Sequence, residues 1–183
     1  MSALSVFSLV LVLPLAFLLH DGEELAVQHR WMQAHRAELA TRFPRLRPLV
    51  AHLSRLSTRA FAVAAMEEFV LLLVVTAYVL QQGPYCREVW VACFMAFAFH
   101  LCVHVGQAVL VRGYVPGLAT TILLLPYVAY GCWSVWLSMG VAQWLALTAC
   151  GVVVLMVNLA FAHRLGLMLQ GRRDQGDRPG QTR

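Results

Sequence analysis

Residues 3–28 read ALSVFSLVLVLPLAFLLHDGEELAVQ, an apolar run that takes in His20, Asp21, Glu23 and Glu24 before Arg30. A transmembrane helix needs about 20 mostly apolar residues. This run is strictly apolar only to Leu19, but Leu25, Ala26 and Val27 resume it. One span over 3–28, stopped at Arg30, therefore carries its polar residues inside. A carboxylate in hydrocarbon costs at least about 2.5–3.5 kcal/mol on insertion scales, so its presence asks for a task. Pro14 is a candidate kink. No basic segment precedes the run, so it does not read as a cleaved signal peptide.

The rest of the chain repeats the pattern. Of 183 residues, 60% are hydrophobic and 13% charged, against about half and a quarter in soluble domains. Further apolar runs cover 60–80, 88–111, 117–139 and 142–165, the last two parted by a tight turn at Ser138-Met139-Gly140. The expected fold is all-α: a polytopic bundle of five transmembrane helices in the cell membrane. Residues 1–171 form its single domain, and 172–183 form a polar, disordered tail.

All 14 basic residues are arginine. Seven lie in 30–59, Arg112 follows the third span, and Arg164, Arg172, Arg173, Arg178 and Arg183 follow the fifth. With five spans these share one side, and Arg87 alone lies on the other. The positive-inside rule then puts the N-terminus outside and the C-terminus in the cytoplasm. Topology accounts for the net charge of +5, and no basic aromatic surface points to nucleic acid.

Segment 30–59 holds helical stretches at 29–40 and after Pro48. In the second, Leu49, Val50, Leu53 and Leu56 recur at helical spacing among arginines. This reads as an amphipathic helix on the anionic inner leaflet, making membrane lipids the first partner. His29, His35 and His52 fall in this segment and read as solvated. Cys93, Cys102, Cys132 and Cys150 lie in apolar runs and read as core thiols. Cys86 reads as a thiol on the outer loop.

Depth counted at about 1.5 Å per residue collects the polar residues into one layer. Glu23, Glu24, Glu67, Glu68 and His104 lie about 9–12 Å in from the cytoplasmic side, and His20 and His100 about 15–17 Å. Asn158 joins the layer from the fifth span, and His163 sits at its mouth. His20, Glu23 and Glu24 share a helix face at i, i+3 and i+4, and so do His100 and His104. Glu67 and Glu68 point about 100° apart, one toward the cluster and the other toward a neighbouring helix. Singly, each residue has a structural reading as an interhelical hydrogen bond, ion pair or dipole partner. Their common depth favours a functional site.

His and carboxylate donors suit Fe, Mn or Zn. The expected metal ligands are His20, Glu23, Glu24, His100 and His104, with Glu23, Glu24, Glu67 and Glu68 as the acid–base candidates. Tyr114-Val115-Pro116-Gly117 reads as a tight turn. Pro116 opens the fourth span, Gly117 allows close packing, and Tyr114 sits at headgroup level.

His20-Asp21-Gly22-Glu23-Glu24 is an HxxEE motif, and Tyr114 to Gly117 is YxPG. With His104 between them, or His100 one turn earlier, this order resembles the HXXEE-motif membrane protein family over about residues 10–130. The resemblance implies that His20, Glu23, Glu24, the further His, Tyr114, Pro116 and Gly117 are family positions. It implies no substrate, because the family's function is undefined.

Three functions fit. The leading one is a metal-dependent membrane enzyme acting on a lipidic or isoprenoid small molecule by hydroxylation, desaturation or hydrolysis. The second is a metal-free acid–base cyclase or isomerase, with Trp133 and Trp136 as cation shields. The third is a proton-coupled carrier or another non-catalytic membrane protein. The chain shows no internal inverted repeat, and a homo-oligomer would supply the symmetry.

Overall fold

A computed structural model describes residues 3–176, with side chains for 8–172. It is all-α. Helix α1 spans Ala3–Arg42, and a 3-10 turn at Pro44–Leu46 leads into α2, Arg47–Arg55. Then come α3, Thr58–Leu80; α4, Cys86–Val111; α5, Leu118–Trp136; and α6, Val141–Gly176. Among the described residues, α3, α4, α5 and α6 are long and apolar enough to cross a membrane. Helix α1 is not among them. Helix α6 runs past the expected start of the tail at 172; residues 177–183 lie outside the described residues.

Arg30 does not end the first helix. Residues 3–42 form one continuous helix of 40 residues, about 60 Å long, with Pro14 inside it. Arginine ends a hydrophobic segment, but nothing in 28–42 breaks helical hydrogen bonding. The break comes at Pro44. The far end of α1 also caps a neighbour: the Arg42 guanidinium donates to the carbonyls of Val111 at 2.9 Å and Leu110 at 2.8 Å. These are orphan acceptors at the C-terminus of α4.

Helix α4 is the central element. Trp90, Val91, Phe94, Met95, Phe97, Ala98 and Leu101 are all buried, against Leu9 and Leu13 of α1 and Leu124 and Val128 of α5. Tyr127 ties α5 to α1 by donating to the Leu9 carbonyl at 2.9 Å. Helix α6 crosses two neighbours at glycines. A Cβ at Gly151 would overlap the Ala92 carbonyl of α4, and one at Gly166 the Ala60 carbonyl of α3. Small residues let membrane helices approach this closely.

Helix α2 buries none of its residues and leaves Leu49 exposed, as an interfacial amphipathic helix does. It is held back onto α1. The His29 ring donates to the Leu56 carbonyl at 2.9 Å, and Gln33 donates to the Ser54 carbonyl at 2.9 Å. His29 is thus engaged, not merely solvated. His35 bonds the Trp31 carbonyl and stacks on that indole. His52 lies against His163, with ring centroids 5.5 Å apart. The cysteines depart from expectation in their burial alone. All five are free; Cys86 is half-buried, and Cys102 and Cys150 are exposed. An apolar run in a small bundle has an outer face as well as a core.

Replacing Gly166 with valine should destabilise the α3–α6 crossing by about 1–3 kcal/mol. A lowered melting temperature in detergent would report it; an unchanged one would mean that the crossing has slack.

Candidate functional site

Helix α1 passes His20–Glu24 through the level where α4 presents His100 and His104. One donor atom each from His20, Glu24, His100 and His104 lies within 4.8 Å of all the others. Glu24 Oε1 is 3.5 Å from His104 Nε2, which in turn is 3.1 Å from His100 Nε2. The His20 ring stands edge-on to both, with centroids 5.1 Å from His100 and 4.7 Å from His104. His20 is 0% exposed, His104 4% and Glu24 9%.

These distances suit a cation. Metal–nitrogen bonds of about 2.1 Å give polyhedron edges of about 3.0–3.4 Å between ligand atoms, and the two Nε2 atoms already stand at 3.1 Å. Two atoms of the imidazoles are buried with no hydrogen-bond partner, His20 Nε2 and His104 Nδ1. A buried polar atom left unpaired costs about 1–3 kcal/mol and asks for an explanation.

Glu23 stands outside this group of four. Its carboxylate accepts from the Tyr114 hydroxyl at 2.6 Å, the Ala119 N–H at 3.3 Å, and the Thr120 N–H and hydroxyl at 2.7 and 2.6 Å. Ala119 and Thr120 begin α5, whose first N–H groups have no intrahelical acceptor. A carboxylate there also meets the positive end of the helix dipole. Gly117, the residue before α5, offers no side-chain cap, so Glu23 supplies it from another helix. Burial, and then the bond to Glu23, push the Tyr114 phenol up to about 12, so it remains a donor at neutral pH.

The two motifs therefore form one assembly. Gly117 has φ +81° and lies under both histidines: a Cβ there would come within 2.8 Å of the His20 ring and 2.9 Å of the His104 ring. Pro116 opens no helix. Helix α5 begins at Leu118, with Gly117 as its left-handed cap.

Glu67 and Glu68 part as their angular separation requires. Glu67 accepts from Asn158 of α6 at 3.2 Å. Glu68 interacts electrostatically with Asp21 and Glu24 of α1, and its Oε1 is buried without a hydrogen-bond partner. His163 is buried between His52 and Phe61, away from the four-donor group. Trp133 and Trp136 are exposed.

Two participants were not singled out from the sequence. Asp21 lies inside the motif, three residues before Glu24, and that spacing was the available signal. Thr120 carried none: its role depends on α5 starting beside α1, 97 residues from Glu23.

A family model described as "Protein of unknown function with HXXEE motif" matches residues 11–131. No curated protein and no solved structure matches the chain.

Gly117→Ala should lower stability by about 1–3 kcal/mol, because it strains a left-handed position and crowds two rings. A thermal melt checks this. A melt within error of wild type would show that the YxPG segment is not packed on the histidines.

Proposed function

The chain belongs to the HXXEE family, whose function is unknown, and we propose that it is a multi-pass cell-membrane enzyme with a divalent metal ion bound by His20, Glu24, His100 and His104. Its substrate is a lipidic or isoprenoid molecule drawn from the bilayer. The observation that carries this reading is the convergence of three imidazoles and one carboxylate, from two helices, within 4.8 Å. Such a donor set suits Zn, Fe or Mn. Bound there, the metal supplies a Lewis acid and lowers the pKa of coordinated water.

The chain's own residues divide the remaining work. Glu23 and the YxPG segment hold the cluster in place. Glu68 is the acid–base group, since it interacts electrostatically with Glu24 and has an oxygen to spare. Glu67 is engaged with Asn158 and contributes less. His100 is half-buried, the others more deeply so, and it shares a helix face with exposed Val103. The partial exposure of His100 beside an apolar outer surface supports a hydrophobic substrate.

In this reading α1 is the fifth span, and the arginine asymmetry places the N-terminus outside and residues 30–59 in the cytoplasm. A metal-free acid–base enzyme is the second reading. It is favoured by the electrostatic interaction of Asp21, Glu24 and Glu68, which have no arginine paired to them among the described residues.

Protein purified without chelators should carry about one metal ion per chain, and His20→Ala and His104→Ala should lose it. Less than about 0.2 ion per chain in the wild type sinks the metal reading. Activity on a lipid substrate that survives full chelation would favour the acid–base enzyme. In a cysteine-free background, Gln81→Cys should react with an impermeant thiol reagent on intact cells while Gly113→Cys does not. The reverse pattern inverts the topology.

A further inference from the structure

Thr120 has one hydroxyl proton and three polar neighbours. Its Oγ1 is 2.6 Å from Glu23 Oε2, 3.0 Å from His20 Nδ1 and 3.2 Å from the Gly117 carbonyl. The geometry decides where the proton goes. Glu23 Oε2 and Thr120 Oγ1 at 2.6 Å need a proton between them, since two bare acceptors at that separation repel. Glu23 does not supply it. Its two oxygens already receive the Tyr114 hydroxyl and two backbone N–H groups, and an ionised carboxylate is the acceptor-only partner such a set of donors requires. The short distance is also that of a charge-assisted O–H···O⁻ bond, about 2.5–2.7 Å.

The Thr120 proton therefore points at Glu23. Were it to turn to the Gly117 carbonyl instead, it would still point away from His20. In both cases Thr120 Oγ1 offers His20 only a lone pair, and His20 Nδ1 must be the donor. A neutral imidazole has one N–H. With it on Nδ1, His20 Nε2 carries a lone pair, and that atom is buried with no hydrogen-bond partner.

We propose that Thr120 is a positioning residue: it relays the Glu23 carboxylate to His20, fixes the Nδ1–H tautomer and turns the Nε2 lone pair into the His20–Glu24–His100–His104 cluster. Histidine ligands are commonly held this way, by a bond from the second ring nitrogen to an outer acceptor. Here the outer acceptor is a hydroxyl, itself oriented by a carboxylate. Glu23 acts on the cluster through Thr120, which explains why a motif carboxylate stands outside the four donors. What the lone pair binds rests on the metal reading; the tautomer does not.

The test has two arms on the full chain in lipid nanodiscs. In the metal-free protein, nitrogen-15 NMR of labelled histidines should show His20 as the Nδ1–H tautomer in the wild type and in Thr120→Ser, and lose that preference in Thr120→Val. An Nε2–H tautomer in the wild type, or an unchanged spectrum in Thr120→Val, overturns the proposal. The wild-type measurement decides even if the valine variant fails to fold. In the second arm, Zn²⁺ is titrated into the same proteins. Thr120→Val should bind about 10–100-fold more weakly, and Thr120→Ser as wild type. Equal affinity in Thr120→Val counts against the relay. A wild type that binds no Zn²⁺ but keeps the Nδ1–H tautomer removes the metal reading and leaves the relay standing.

Discussion

Everything around the polar layer depends on the Glu23 carboxylate meeting the start of α5. The first N–H groups of a helix have no intrahelical acceptor and must find one elsewhere. Glu23 fills that need from α1 while also taking the Tyr114 hydroxyl. The carboxylate is expensive in this setting, and so is the open helix end; each resolves the other. Once they are joined, Gly117 must lie against His20 and His104, and α5 can run back along α4 to bury Leu124 and Val128.

The site differs from a set of ligands hung on a finished scaffold. The same residues close the bundle and orient the donors. Gly117 and Thr120 touch the cluster only from outside, with Tyr114 bracing Glu23, yet they help set the position of His20 and His104. Damage to either motif should therefore affect stability and binding together. A variant that separates the two, such as a conservative change at Thr120, is the informative kind.

Much of this was legible in the sequence. Hydropathy located α3, α4 and α5 and the start of α6 to within a few residues, the turn at 138–140 included, because an apolar run bounded by arginine, proline or glycine admits little else; α6 runs on to Gly176, past the expected end at 165. Depth counting placed His20, Glu24, His100 and His104 together, since helical rise converts residue number into height. Rotation also separated Glu67 from Glu68. What escaped was whatever depended on a neighbour. Periodicity assigned Glu23 to the face it shares with His20, but could not show that the start of α5 would occupy it. Arg30 looked like the end of a helix because charge marks the edge of a membrane segment, while the backbone ends only where hydrogen bonding fails, near Pro44. Thr120 is an ordinary residue in an apolar helix until its position beside α1 is known.

The distance along the chain between Glu23 and its acceptor-hungry partners has a consequence for how the protein is made. Tyr114 and Thr120 lie 91 and 97 residues downstream, and His20 likewise waits 100 residues for Thr120. At about 5–20 residues per second, synthesis leaves HxxEE exposed for several seconds before anything exists to satisfy it. During that interval α1 carries three acidic groups without their final neighbours. The fold of the HxxEE segment is thus completed only by the arrival of α5, and a nascent chain halted before Tyr114 would leave Glu23 without its hydrogen-bond donors.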